Sequence, residues 1–530
     1  MTSLSKMTRL GLPLTMAALL LTGGACNKSA GSTNPGEGKS AEQIEAERKA
    51  AVEQAKAAGL IDLANQELQS GRYVSARQRA EEALATNPND ADAYAVLGAA
   101  AWRGGDFTAS TDAYRKALEL DPNNFGAIDG LGRNLQAAGK HAESMELQDK
   151  LIAAEGEGFQ AASCDAETEC EMGWCDQQAG QCQPTRQARP RINKLWSQYL
   201  MLDAEAAAQT GDEIFVGSTA TADESALVAP FVEFIRPLVG KGPFIQIEGT
   251  SATSDLDIDP VQGLKHFSAT VGGEYSRTVF FELLNEARIS PELADQLKLE
   301  RLGKVRPFAM PNELDIVIVP EIKIGDLTIK NIPAFVDDLS PFATIGETPG
   351  MLLGRQVMQR FGAITFDFPG GSLALSVDAP ADPPAGAADR PLLVIDSLAL
   401  RVPVTEISID GSEHGIWTWI GGTWQAAVAL SGKAYLKSGH RPSEIDPPDD
   451  PDQGLKMVYV DDLAMGDVHV RGMGGYILTN TPPDPTIAAI LEGTGFELGG
   501  YVNIAAMKLL KVTYLLPQGR MWVQKAPAAG

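Results

Sequence analysis

Gly71, Gly105 and Gly139 stand 34 residues apart, and so do Pro88 and Pro122. Self-similarity at a fixed period of this size means one supersecondary unit stacked on copies of itself, because a lone unit cannot bury its own apolar face. Each unit reads as two helices. The first carries Leu63-Ala64, Leu97-Gly98 and Leu131-Gly132, small residues that let a paired helix approach closely. The second carries Ala76, Ala80 and Ala83, then Ser110, Tyr114 and Ala117, on one face at helical spacing. Asn87-Pro88 and Asp121-Pro122 close the units, since the residue before proline resists the helical region. The repeats occupy residues 41–156, counting a leading helix from Glu42 to Ala58. A chain of 530 residues still has room for further domains, at roughly 150 residues each.

Spacing and residue types together resemble three tetratricopeptide repeats. The resemblance implies a concave groove lined by the first helix of each unit and suited to a protein or peptide. The positions it carries into that groove are Asn65, Trp102, Arg103 and Arg133. Solvated polar helix faces are the bland alternative for these residues.

Charge removes one class of partner. Asp plus Glu number 69 against 44 Lys plus Arg, a net charge of −25, and no basic cluster interrupts the excess. Nucleic acid is therefore not expected as a partner, because phosphate binding requires clustered cations to displace counterions.

The N-terminus reads as an address. Lys6 and Arg9 precede an apolar run from Leu10 to Leu21, then Gly23, Gly24, Ala25 and Cys26. That order is an export signal, about a dozen apolar residues against the roughly 20 that a spanning helix needs. Cys26 after Ala25 resembles the lipobox of bacterial lipoproteins, with Gly23 where that family usually has Leu. The resemblance implies lipidation at Cys26, residues 1–26 as signal peptide, and attachment to the bacterial cell envelope at the outer membrane; simple cleaved secretion is the alternative. Residues 27–40, rich in Gly, Ser, Asn and Pro, form a flexible tether.

Cys164, Cys170, Cys175 and Cys182 crowd one short segment. In an exported chain a dense, even set of cysteines reads as a disulfide module, here 163–183, and three connectivities are open. Structural zinc is the weaker alternative, since no Cys-x-x-Cys pair occurs. Asp255, Asp257 and Asp259 alternate like the start of a calcium loop but lack its glycine, so an acidic turn is expected there. No metal or cofactor is expected.

After a linker with a helix at 184–230, short β-branched and aromatic runs with Gly turns give strand texture. A Pro- and Ala-rich linker at 378–390 divides this half into two blocks, 231–377 and 391–527. The blocks echo one another. Ile316-Val317-Ile318-Val319 with Gly325-Asp326 returns as Met457-Val458-Tyr459-Val460 with Gly466-Asp467, and Ile364-Thr365-Phe366 returns as Val512-Thr513-Tyr514. The first block contains IKIGDLTIKNIPAFVDDL and then GMLLGRQVMQRFGAITFDFPGGSLALS. These segments resemble a retropepsin-like aspartic protease lobe, and the second block resembles it more faintly.

In that family each lobe supplies one Asp, and the two carboxylates share a proton so that one activates water while the other protonates the substrate. The expected places here are Leu284, Asn285 and Glu286 in the first block and Ile420, Gly421 and Gly422 in the second. Neither holds Asp, and Asp-Thr-Gly and Asp-Ser-Gly are absent from the chain. The expected fold is thus multidomain: all-α tetratricopeptide repeats followed by two mainly-β retropepsin-like lobes, which a pepsin-like bilobal arrangement could unite. The expected function is a lipid-anchored scaffold that binds protein or peptide, with no catalytic residue. The alternative is an aspartic-type endopeptidase using atypical acids such as Glu282 or Glu286.

Overall fold

The structure, a computed structural model, describes residues 41–155, 173–176, 181–184, 186–259, 263–307, 310–343, 347–396, 401–422, 426–444, 448–449, 454–478, 496 and 498–525. Cys26, Cys164 and Cys170 lie outside the described residues.

Six helices form the repeats: α1 (Ala41–Gln69), α2 (Tyr73–Thr86), α3 (Ala91–Arg103), α4 (Phe107–Leu120), α5 (Phe125–Ala137) and α6 (His141–Ala153). The period of 34 has a backbone cause. Gly71, Gly105 and Gly139 each follow the first helix of a pair with φ of +74°, +77° and +74°. At each, the glycine N–H bonds the carbonyl three residues back, and the next N–H bonds the carbonyl five residues back. This left-handed C-terminal cap suits glycine because no Cβ meets the following carbonyl. The second and third pairs start on Asp90 and Asn124, whose side chains accept from Ala93 and Ala127 N–H groups at 3.0 and 2.9 Å. The expected separate leading helix is absorbed into α1, because Gly59 is the one weak helix former near the expected break and no proline stands there.

Close approach within the stack depends on missing side chains. A Cβ at Gly98 would stand 2.8 Å from the Tyr114 ring, and one at Gly130 only 2.1 Å from it. Gly130→Ala is therefore expected to force the buried Tyr114 out of its site, at about 1–3 kcal/mol, read as a lower denaturant midpoint at unchanged slope.

Residues 184–230, expected as a linker with one helix, instead hold α7 (Ala188–Met201), α8 (Ala204–Phe215) and most of α9 (Ala222–Ile235). Their apolar faces continue into the first β lobe. Trp196, Tyr199, Phe231 and Phe234 pack edge to face, with ring centroids 4.2–5.9 Å apart, and Phe234 meets Phe335 at 4.8 Å. The mixture of Arg, Gln and aromatic residues in α7 hides its helical stripe in the sequence. Ahead of it a short hairpin, β1 (Gly173–Asp176) and β2 (Gln181–Pro184), sets the Cys175 and Cys182 backbones opposite one another.

The first lobe contains β3 (Gln246–Glu248), β4 (Ser251–Asp255), β5 (Asp257–Ile258), β6 (Lys265–Val271), β7 (Glu274–Phe280) and β8 (Ala287–Ile289). A short helix α10 (Pro291–Gln296) leads to β9 (Gly303–Val305), β10 (Leu314–Ile324), β11 (Leu327–Val336) and β12 (Met351–Leu353). It ends on α11 (Arg355–Met358), β13 (Ala363–Asp367) and β14 (Ser372–Ser376). The second lobe runs through β15 (Ala388–Pro391), β16 (Leu393–Asp396), β17 (Arg401–Ile409), β18 (Ile416–Gly422) and β19 (Val428–Ser431). Then come α12 (Gly432–Lys437), β20 (Leu455–Met465), β21 (Val468–Leu478), β22 (Gly500–Asn503), α13 (Ile504–Met507), β23 (Leu510–Leu515) and β24 (Arg520–Lys525). The expected linker 378–390 is thus shorter, because Ala388 to Arg390 enter a strand.

Among the described residues each lobe has its own sheet, of nine and seven strands, and the two lobes jointly build a third, ordered β15-β24-β23-β13-β14-β4. Three of its strands come from each lobe. At its centre β13 and β23 run antiparallel, and the register sets Ile364 against Tyr514, Thr365 against Thr513 and Phe366 against Val512. Those are the echoing triplets of the sequence, so each lobe pairs with its own counterpart about a pseudo-twofold axis. The Thr365 and Thr513 hydroxyls meet on that axis at 2.9 Å.

The repeats are docked on the second lobe. Trp102, Ala137 and Ala138 share a buried cluster with Leu393, Ile395, Val402, Val404, Trp417 and Phe496. A Cβ at Gly139 would stand 2.4 Å from the Leu516 carbonyl oxygen, at a φ of +74°. Gly139→Ala is expected to cost at least about 1 kcal/mol through strain at that φ and to loosen this contact, measurable as faster amide exchange at the end of α5.

Candidate functional site: the concave face of the repeats and the paired loops of the lobes

The first helices of the three pairs line a concave pocket of about 480 Å³. All four residues carried over from the repeat pattern are in its wall: Asn65 from α1, Trp102 and Arg103 from α3, and Arg133 from α5. Sequence reasoning missed Arg189, which enters from α7, outside the repeats, and also lines the pocket. The carboxylate of Asp129 lies 3.1 Å from Arg189 and 3.6 Å from Arg133, so the one acid of the wall engages two of its three guanidinium groups and leaves Arg103. The Arg133 Nε is buried without a hydrogen-bond partner among the described residues. Tyr114 forms the floor, and burial pushes its phenol up to about 12, with Arg133 opposing the shift.

Trp102 has a second role that the repeat pattern does not convey. It is 7% exposed and meets Phe496 of the second lobe edge to face at 5.1 Å, and Phe496 in turn meets Trp417 edge to face at 5.4 Å. One end of the concave face therefore rests on this chain's own second lobe.

In the lobes, strand register identifies which loops are related. Thr278, Val279 and Phe280 of β7 pair with Met351, Leu352 and Leu353, while Thr418, Trp419 and Ile420 of β18 pair with Gly500, Tyr501 and Val502. Beyond the loops, Ile289 pairs with Met351 and Leu430 with Gly500. The next residues, Ser290 and Ser431, both cap short helices. The segments that follow these paired residues, from 281 and from 421, are thus related, and the counterpart of Gly421 is Phe281. The expected windows, which begin at Leu284 and Ile420, are therefore four residues out of register with each other, because a run of Phe, Leu and Asn offers no motif to anchor the alignment. Ile420 is the counterpart of Phe280 and is a buried strand residue. Gly421 and Gly422 close β18.

Neighbouring elements engage most polar groups of the first loop, while the Asn285 amide oxygen is buried without a partner among the described residues. The loop's backbone carbonyls at Leu284 and Asn285 accept from the Arg355 and Gln356 N–H groups, both at 2.9 Å, which begins α11. Leu284 packs with Phe281 and Phe342 against a small apolar cluster. Glu286 is buried and accepts the hydroxyl hydrogen of Tyr199 from α7. Glu282 is buried 2.6 Å from the Lys265 ammonium, which also lies over the Phe366 ring at 5.7 Å. By the same register the position matching Lys265 in the second lobe is the buried Pro403, on the strand beside β18, and the position matching Glu282 is Gly422. The charge pair therefore belongs to one lobe only. Asp255 and Asp257, read from sequence as an acidic turn, both engage Arg277.

Residues 61–125 match the tetratricopeptide repeat family. Among solved structures, a retropepsin-like aspartic protease from Rickettsia conorii is 17% identical, over 25% of this chain and 94% of that one, with a TM-score of 0.19. MamA is 17% identical over 33% of this chain and 84% of its own, with a TM-score of 0.23. A thermophilic TPR protein of Thermus thermophilus is 14% identical over 33% of this chain and 80% of its own, with a TM-score of 0.25. The chain thus joins tetratricopeptide repeats to a mainly-β half built of two related lobes.

Proposed function

We propose that this chain is a cell-envelope scaffold whose repeat pocket holds a protein or peptide, and whose lobes keep an aspartic-protease-like frame without the pair of acids that proteolysis needs. The observation that carries the first part is the convergence of Asn65, Arg103, Arg133 and Arg189 on one concave wall with a single facing carboxylate. An extended segment can meet donors along such a face without displacing any packed side chain. The second part draws on Phe281 and Gly421 at the related loop positions, and on Glu282 and Glu286 being engaged by Lys265 and Tyr199. A carboxylate already engaged by an ammonium or a phenol is a poor candidate to share a proton with a second acid, and each of these two acids has such a partner.

Attachment through a lipid on Cys26 and residence at the outer membrane belong to the same proposal and rest on residues 6–26. Cys26→Ser is expected to move the protein from the membrane pellet to the soluble fraction; a pelleted variant speaks against lipidation.

The test of binding is a peptide array probed with the purified protein and with Arg103→Glu/Arg133→Glu. Both side chains are half-buried; with an unchanged circular dichroism spectrum as the check on folding, retention of captured peptides is expected to fall at least tenfold. Equal retention by both proteins rejects the pocket.

A further inference from the structure

A second recess, of about 310 Å³, opens where the repeats, the first lobe and the second lobe meet. We infer that it is a binding site for a small phosphomonoester, independent of the concave pocket. Its cations come from two modules: Lys140 at the start of α6 in the repeats, and Arg355 of α11 with Arg360 just beyond that helix in the first lobe; the His141 imidazole adjoins them. The turn at 516–517 of the second lobe closes it. A single acid, Glu143, lines the recess, and it lies 3.6 Å from Lys140.

The local chemistry asks for an anion. Arg360 donates to the Met201 carbonyl at the end of α7, yet its Nε is buried with no partner among the described residues. Burial alone holds this guanidinium below its usual value, with no carboxylate acting to raise it. Lys140, the residue preceding α6, places no side-chain cap on the helix, so its first-turn N–H groups add partial positive charge to the same wall. The amide oxygen of Gln359, buried and without a donor among the described residues, adds an acceptor. A phosphate ester bearing a hydroxyl meets both requirements: its dianion faces the guanidinium, ammonium and N–H donors, and its O–H reaches Gln359. The volume leaves room beyond the phosphate itself, at the lower end of small-ligand sites. Because three modules supply the wall, occupancy would stabilise their arrangement by mass action.

The experiment is calorimetric titration of the full chain with glycerol 3-phosphate and with inorganic phosphate in a phosphate-free buffer, with acetate as the control anion. Saturable binding of both phosphates is expected, with affinity at least tenfold lower in Lys140→Gln and in Arg360→Gln and unchanged in Lys116→Gln, an exposed lysine paired to Glu119 on α4. Arg360→Gln also removes a cap on α7, so the half-exposed Lys140 is the variant that decides. No saturable heat, equal binding by acetate, or wild-type affinity in Lys140→Gln overturns the assignment. None of these results bears on the concave pocket, whose residues lie elsewhere.

Discussion

Trp102→Ala lowers the unfolding free energy by about 3–5 kcal/mol, the usual range for deleting a buried tryptophan. The size follows from what surrounds it: Phe107 at 6.4 Å, Phe496 at 5.1 Å, and a cluster that includes Leu393, Val402, Val404 and Trp417. Edge-to-face contacts add about 0.5–1.5 kcal/mol each beyond the buried area. The loss falls at the junction between repeats and second lobe, so denaturation is expected to broaden or split as the repeats unfold ahead of the lobes. A change under about 1 kcal/mol with one sharp transition means that this junction does not form. Trp102 is for the same reason a poor probe of partner binding, since its removal disturbs the wall and the junction together. Arg103 and Arg133 test the pocket cleanly.

Lys265→Met has an effect of similar size. It leaves Glu282 buried without its counter-charge, and removing one member of a buried pair costs about 3–5 kcal/mol. The double variant Lys265→Met/Glu282→Leu replaces both charges by apolar groups of similar length and is expected to recover most of that loss. Such non-additivity, measured by equilibrium unfolding of all four proteins, is the signature of a paired interaction. If the two single losses simply add, the ion pair is not formed and Glu282 is free to act elsewhere.

The helical repeats were legible because their signal is local. Three glycines at equal spacing mark three left-handed caps, and the Asn-Pro and Asp-Pro steps mark two chain reversals. The tandem lobes were legible through self-comparison: Ile364-Thr365-Phe366 and Val512-Thr513-Tyr514 resemble each other because a pseudo-twofold axis makes them face each other. What stayed hidden depends on contacts between distant residues. The aromatic stripe of α7 becomes apolar only against Phe231, Phe234 and Phe335, which are remote from it in sequence. Trp102 looks like a groove residue until Phe496 is placed against it. Lys265 and Glu282 are unremarkable singly, and only the antiparallel register of β6 with β7 brings them within 2.6 Å. The expected windows of the two lobes fell four residues out of register with each other, for want of any side chain that their chemistry would fix. Sequence did not reveal the recess at the triple junction, whose walls come from residues 139–143, 201, 355–360 and 516–517.

The most direct measurement of the whole reading is hydrolysis. The purified protein is incubated with a mixed peptide pool from pH 3 to 7, with and without pepstatin, and the products are followed by mass spectrometry. With Glu282 and Glu286 engaged inside one lobe and glycine ending the matching strand of the other, the account predicts no pepstatin-sensitive cleavage at any pH. Cleavage that pepstatin blocks, and that Glu286→Gln or Glu282→Gln abolishes in a folded protein, would contradict it.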